Sequence, residues 1–245
     1  MDLYEILDWD TNFFGFTVAR ILPCRLSEKE LCEILEDMKR NNVRLAYWAS
    51  DPEDEVSQTC ARNSNAILVD RKTTYLIESR DINLRSSLMC TSELLVDEYL
   101  ELRSTPELED LAVQAGLYSR FKLDMLIPEN KFVELYKIWI RRSVNKDIAR
   151  KVFVARRDGK IAGMVTVGEK DGRADIGLIA VDASLRGKNA GIALVQVAQA
   201  WGVREGYPSA QVVTQGDNIP ACRFYEKCGY RVDKVENIYH FWIDK

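Results

Sequence analysis

Two short segments near the C-terminus hold residue types and spacings that can do chemistry. The first is Ile179-Ala180-Val181-Asp182-Ala183-Ser184-Leu185-Arg186-Gly187-Lys188-Asn189-Ala190-Gly191, which leaves an apolar strand and enters a helix. A helix N-terminus presents unpaired N–H groups and about half a positive charge. Gly187, Asn189 and Gly191 permit tight or left-handed backbone, so those N–H groups can converge on an anion, most simply a pyrophosphate. Arg186 and Lys188 add positive charge close by. A strand-to-helix turn can also hold two glycines for structural reasons alone.

The second segment is Asn218-Ile219-Pro220-Ala221-Cys222-Arg223-Phe224-Tyr225-Glu226-Lys227-Cys228-Gly229-Tyr230. Asn218 stands where an N-cap is wanted, and Phe224-Tyr225 falls about two turns into the helix. Tyr225 is either an amphipathic core residue or a phenol held near a reacting group.

Other machinery is scarce. His240 is the only histidine, and the six cysteines (Cys24, Cys32, Cys60, Cys90, Cys222, Cys228) form no C-x-x-C pair. No metal site is expected from such a set, and Cys-His or Ser-His catalysis is excluded unless His240 is the base. His240 alternates with Ile238 and Trp242 along a strand and reads as structural. The cysteines read as reduced and mostly buried. Cys222, with no histidine near it in sequence, is a helix residue rather than a covalent nucleophile. Neither G-x-x-x-x-G-K-[ST] nor a strand-to-helix G-x-G-x-x-G occurs, so nucleotide triphosphatases and dinucleotide enzymes are unsupported. Chemistry has to come from carboxylates, tyrosines, backbone groups or a bound cofactor.

The whole chain sets looser bounds. Its 245 residues, 47% apolar and 29% charged, suit one large or two modest globular domains. No apolar run approaches the roughly 20 residues that span a bilayer, and the opening Met1-Asp2-Leu3-Tyr4-Glu5 does not look secretory. A cytoplasmic protein without a membrane partner is expected. The net charge of −4, with scattered Lys and Arg, argues against nucleic acid as a partner.

The elements that must position the two segments follow from pattern. Ser27 and Glu30 form a capping box ahead of Leu31, Ile34, Leu35 and Met38, a one-faced helical stripe. Val43–Trp48 and Ile67–Ile77 read as strands around a polar stretch from Asp51 to Asn65 that suits a short helix. A strand over Leu94–Leu102 precedes a helix started at Ser104-Thr105-Pro106 and closed at Gly116. Ser119-Arg120-Phe121 lies in the following loop, before a helix over about Lys131–Arg142. Asp158-Gly159 and Asp171-Gly172 are hairpin turns joining three strands between Val152 and Val181. Then come a helix over Ala190–Arg204, a strand over Ala210–Thr214, a helix over Ile219–Lys227 and a strand over Ile238–Ile243. The expected fold class is mixed α/β (α+β), a mostly antiparallel central sheet flanked by helices. Residues 1–90 are expected to form a smaller N-terminal α/β domain, and residues 91–245 the domain that carries both segments.

The order and spacing of the two segments resemble the GNAT acetyltransferases, in which an R-x-x-G-x-G loop, helix, strand, N-x-x-A-x-x-F-Y and closing G-Y recur. The matching residues are Arg186, Gly191, Asn218, Ala221, Phe224, Tyr225, Gly229 and Tyr230; Asn189 replaces the first loop glycine. Asparagine tolerates the left-handed region best among non-glycine residues, so the cradle can survive. The resemblance implies a GNAT fold and acetyl-CoA as acyl donor. Backbone groups of Ile179, Ala180 and Val181 would hold the pantetheine arm. Those of Arg186, Gly187, Lys188, Asn189, Ala190 and Gly191 would hold the pyrophosphate, with Asn218 and Phe224 beside the arm. Tyr225 would give a proton to the departing thiolate, and a phenol with pKa near about 10 is protonated for that task. No residue declares itself as the base.

The aromatic opening Trp9-Asp10-Thr11-Asn12-Phe13-Phe14-Gly15-Phe16, with Ala115–Phe121 and Tyr239-His240-Phe241-Trp242, is similar to one group of GNAT enzymes, the TDP-fucosamine acetyltransferases. They acetylate the amine of a nucleotide-linked amino-deoxysugar and carry an added N-terminal domain. The resemblance implies a small-molecule amine acceptor, a nucleotide sugar, with Ser119 and Arg120 on its side and Arg120 suited to phosphate. Individually, Trp9, Phe13, Phe14 and Phe16 read as core. A peptide, polyamine or amino-acid amine is the alternative acceptor, a non-catalytic CoA-binding module the alternative class, and a homodimer stays open.

Overall fold

Asp158-Gly159 and Asp171-Gly172 take positive φ at both positions, 50° and 77° in the first turn, 54° and 74° in the second. That mirror-image turn matches the twist of a two-residue hairpin, and the two turns set three consecutive antiparallel strands in register. Around them, the computed structural model describes residues 3–83, 94–185 and 187–243. In chain order the elements are β1 (Tyr4–Ile6), α1 (Asp8–Phe14), β2 (Val18–Ile21), α2 (Glu28–Arg40), β3 (Leu45–Ser50), α3 (Glu55–Asn63) and β4 (Ile67–Glu78). There follow β5 (Leu95–Glu98), α4 (Pro106–Ala115), α5 (Arg120–Leu123), α6 (Glu129–Val144), β6 (Lys151–Arg157), β7 (Lys160–Lys170) and β8 (Arg173–Val181). The last are α7 (Ala190–Arg204), β9 (Ser209–Gln215), α8 (Ile219–Lys227) and β10 (Arg231–Trp242).

The strands form a ten-stranded sheet in the order β1-β2-β3-β10-β4-β9-β8-β7-β6-β5. Neighbours are antiparallel except β2–β3 and β8–β9, which are parallel. This is the mixed, mostly antiparallel sheet expected. Strand β3 shows why its sequence is an unbroken apolar run: Leu45 and Tyr47 enter one core cluster with α4 and α6, and Ala46 and Trp48 enter another with α2. The N-cap of α2 is the expected capping box, Ser27 N–H donating to Glu30 Oε2 at 2.8 Å. Helix α7 packs its Leu194, Ala198 and Trp201 into a third cluster with β7, β8 and β9.

Several local expectations are corrected. The final strand starts at Arg231, well before Ile238, because its first half is exposed and charged and so carries no apolar alternation; pairing with β4 makes it a strand. The Ser119-Arg120-Phe121 segment is the start of a helical turn, α5. The aromatic opening is helix α1; Phe13, Phe14 and Phe16 pack on the core, but Trp9 stays 39% exposed, stacked on Phe13. Cys60 is buried, Cys24 and Cys32 are exposed, and Cys222 and Cys228 are half-buried, all as free thiols; Cys90 lies outside the described residues. No described helix is long and apolar enough to cross a membrane.

One irregularity positions the site. The parallel ladder between β8 and β9 runs from Ala174↔Ala210 to Ile176↔Val212 and ends there, although both strands continue. At the same point the β7–β8 register slips, leaving Thr166 opposite Gly177 and Leu178. Leu178 N–H donates to Thr166 Oγ1 at 2.8 Å, and a Cβ on Gly177 would lie 3.0 Å from that oxygen. A bulge bends its strand and adds twist, so β8 parts from β9 beyond Ile176, and the β8–β9 pairing does not extend to Ile179–Val181.

Candidate active site

The gap between β8 and β9 is bordered by two cavities, one of about 840 Å³ and one of about 560 Å³. Both are lined by Ile179, Ala180 and Val181 of β8 and by Asn218, Pro220, Ala221 and Tyr225 of α8. The smaller cavity also reaches Gly187, Asn189, Ala190, Gly191 and Phe224. Ser119 and Arg120 line the larger one. Lys188 is exposed and lines neither, and Arg186 lies outside the described residues.

On the smaller side, the loop has the backbone an anion cradle needs. Asn189 is the N-cap of α7 in the left-handed region, φ 62° and ψ 7°, and its side chain makes no capping hydrogen bond. The first-turn N–H groups of Ala190, Gly191 and Ile192 meet no acceptor among the described residues. A Cβ on Gly191 would come within 3.2 Å of the Phe224 ring, so the turn lies directly on that ring. N–H groups without an acceptor among the described residues, a strand that has parted from its neighbour and a left-handed turn fit the phosphates and arm of a CoA thioester.

Helix α8 begins with Asn218 Oδ1 accepting from Ala221 N–H at 3.3 Å, and Pro220 sits in its first turn. That start sends Tyr225 inward. The Tyr225 ring packs against Tyr75 and Tyr230, at centroid distances of 5.9 and 6.1 Å. Its hydroxyl makes no hydrogen bond with a described residue. Burial, with smaller contributions from the Cys228 and Cys222 thiols, holds its pKa well above the ordinary phenol value. The group is a neutral proton donor at any physiological pH.

The larger cavity holds residues that the sequence did not announce. Asp70, on β4, is buried and its Oδ1 has no hydrogen-bond partner among the described residues. Burial pushes its pKa up to about 7 against the opposing pull of Arg120 and Lys72. A carboxylate poised near neutrality is suited to taking a proton. Its only sequence signal is an acid that directly follows the apolar run Ile67-Leu68-Val69 at the start of the strand. Arg120 lies with its Cζ 4.4 Å from the Tyr47 ring centre and 4.7 Å from that of Phe121. It forms no ion pair among the described residues, whereas Lys72 pairs with Glu236 at 2.8 Å and Arg20 with Glu5. An unpaired guanidinium braced by aromatic rings is a site for an anion. His240 is fully buried and lines neither cavity, which removes it as a base. Among the described residues no group of three or more His, Cys, Asp or Glu is placed to hold a metal.

Comparison with known proteins agrees with this architecture. The pattern of the Acetyltransferase (GNAT) family matches residues 116–230. The dTDP-fucosamine acetyltransferase of Escherichia coli O6:H1 is 31% identical over 241 residues, covering 98% of this chain and 96% of that protein. The chain belongs to the GNAT family and is an acetyl-CoA-dependent N-acetyltransferase. The Bacillus subtilis spore coat polysaccharide biosynthesis protein SpsD is 24% identical over 136 residues, 56% of this chain, and the match spans about half (47%) of that longer relative. A solved tandem GNAT protein from the clavulanic acid biosynthesis pathway superposes with a TM-score of 0.60 at 14% identity, covering 93% of this chain and 76% of that one. At that identity the likeness is one of fold, and it bears out the fold expected from the sequence.

Proposed function

We propose that the enzyme acetylates the primary amine of a nucleotide-linked amino-deoxysugar by direct attack on acetyl-CoA. The observation that carries this reading is Tyr225, which borders both cavities and so stands where a donor in one and an acceptor in the other would meet. In the smaller cavity, the N–H groups of Ala190, Gly191 and Ile192 would take the pyrophosphate and the backbone of Ile179–Val181, which lines it, the pantetheine arm. In the larger cavity, Asp70 accepts a proton from the attacking amine, directly or through one water. The amine nitrogen bonds to the thioester carbon, the C–S bond breaks, and Tyr225 protonates the departing sulfur. The products are the amide and free CoA thiol.

The acceptor assignment draws on two supports. Arg120 offers an unpaired guanidinium to an anion, which a sugar nucleotide carries in its diphosphate and a polyamine lacks. The E. coli relative named for dTDP-fucosamine covers nearly the whole chain. Residues 1–90 supply Arg20, Asp70 and Lys72 to this cavity, and we assign acceptor recognition to that part of the chain together with Ser119 and Arg120.

The test is acetyl-CoA consumption with thiol release against TDP-linked 4-amino and 3-amino sugars, polyamines and N-terminal peptides, with Tyr225→Phe in parallel. Turnover on one amino sugar is expected. Loss of the acid should lower kcat by about 10²–10⁴-fold with CoA binding kept. Turnover confined to polyamines or peptides overturns the acceptor, and tight CoA binding without turnover on any amine overturns the catalytic reading.

A further inference from the structure

A buried polar cluster takes no part in the reaction above. Asp124 follows α5 and is 1% exposed. Its Oδ1 accepts from Leu126 N–H at 3.0 Å and its Oδ2 from Trp242 Nε1–H at 2.9 Å, while His240 Nδ1 lies 2.7 Å from Oδ2. Burial alone would raise its pKa, but the bonds from His240, Leu126 and Trp242 outweigh burial and hold it below the usual carboxylate range. His240 is driven the other way: burial pushes its pKa down to about 4. At neutral pH the pair is therefore an ionised carboxylate accepting from the Nδ1–H of a neutral imidazole, whose Nε2 has no partner among the described residues. A buried charge of this kind persists only while all its donors stay in place, so the cluster is rigid.

Two routes lead from this cluster to Arg120. Through the backbone, Asp124 N–H donates to the Arg120 carbonyl at 3.1 Å, closing the single turn of α5. Through side chains, the His240 ring lies 4.8 Å from the Tyr47 ring, and Tyr47 carries the Arg120 guanidinium. Helix α5 is four residues long and Ser119 gives it no side-chain cap. So short a helix has little stability of its own, and what orients it must come from outside. Phe121 anchors it in the core against Tyr47 and Trp139, and the C-terminal strand β10 anchors its far end by supplying both His240 and Trp242 to Asp124.

We infer that Asp124 and His240, with Trp242, form a clasp that sets Arg120 to receive the anionic part of the acceptor. His240 is a positioning residue; it does not carry the reaction's proton. This rests on the reading of the larger cavity as the site of an anionic acceptor, and the experiment separates the two.

The probe is thymidine diphosphate, with binding measured by calorimetry at fixed salt for the unaltered enzyme, Arg120→Ala, His240→Leu, His240→Asn, Trp242→Phe, and each of His240→Leu and Trp242→Phe combined with Arg120→Ala. Binding of acetyl-CoA is measured alongside. His240→Leu should weaken the diphosphate about tenfold and leave acetyl-CoA unchanged. His240→Asn, which keeps an N–H donor near the Nδ1 position, should recover most of the loss. In the Arg120→Ala background His240→Leu should have no further effect, because coupled residues are not additive. If His240→Leu does not fold, the Trp242→Phe cycle is read in the same way. Additive losses, or equal losses in His240→Leu and His240→Asn, overturn the clasp while leaving the acceptor site standing. No diphosphate binding by the unaltered enzyme, or none lost in Arg120→Ala, overturns the acceptor site and the clasp with it.

Discussion

The ring of Tyr136 lies directly on the backbone of Gly116: a Cβ there would sit 2.4 Å from the Tyr136 Cζ. Gly116 is in the right-handed helical region, φ −88° and ψ −1°, so its backbone would accept any residue. The ring excludes the side chain. Tyr136 is buried and lines the larger cavity, so the smallest addition at Gly116 must push it aside. Gly116→Ala is expected to cost about 1–3 kcal/mol, as overpacking does, or about 2–4 °C of Tm per kcal/mol in a chain this long. The KM for the acceptor should rise and that for acetyl-CoA should not. A melting curve superimposable on the parent's would mean the ring moves freely and the cavity wall is soft.

Asp70 gives the pH dependence its sign. Its folded pKa of about 7 lies above the unfolded value of about 3.9. The protonated native form is favoured between these values, so its contribution to stability is full below about pH 4 and is lost as pH rises to about 7. Asp70→Asn should therefore gain in stability relative to the parent as pH is raised from 5 to 8, read by calorimetry at both. In kinetics the order reverses. As the proposed base, Asp70 must be ionised, so kcat/KM for the parent should climb through about pH 7. Asp70→Asn should lose about 10²–10⁴-fold at pH 8. An unchanged pH profile in the variant would remove Asp70 from the mechanism.

Asn189 tests the cradle. With φ at 62°, glycine should substitute at little cost, whereas a β-branched residue in the left-handed region costs about 1–2 kcal/mol or distorts the loop. Asn189→Gly is expected to bind acetyl-CoA as the parent does, and Asn189→Val to bind it at least about tenfold more weakly. Similar affinities for both would show that this turn does not hold the phosphates.

Gly191 tests the seat of the arm. Its missing Cβ would lie 3.2 Å from Phe224 Cζ and 3.7 Å from Val181 Cγ2, so a valine there must displace Phe224 into the smaller cavity. Gly191→Val should raise the KM for acetyl-CoA about tenfold or more and leave the acceptor KM unchanged. A rise in both would mean the two cavities deform together.

The elements of the proposed donor side were readable from the sequence because their determinants are local. Hairpin turns at Asp158-Gly159 and Asp171-Gly172, the Asn218 cap, the left-handed Asn189 and the helix starts at Ala190 and Ile219 depend on residues within a turn or two of each other. Such preferences act before distant contacts form, so type and spacing suffice to place Tyr225 on its helix and the loop at the N-terminus of α7. The elements that sequence pattern missed, β1, β2, α1 and the first half of β10, are short or carry exposed charge, and they owe their form to partners elsewhere in the sheet.

The proposed acceptor side draws on tertiary structure alone. Nothing near Asp70 in sequence marks it as buried. It is buried because β4 lies between β9 and β10, and its raised pKa comes from that burial. Arg120 acquires its setting from Tyr47 on β3 and from Asp124, which is held by His240 and Trp242 at the far end of the chain. The sequence by itself determined the fold class, and its local pattern put forward the α7 loop and the Tyr225 phenol as the donor side. The proposed base, anion site and clasp are long-range, because desolvation and charge pairing are properties of the space that distant segments enclose together.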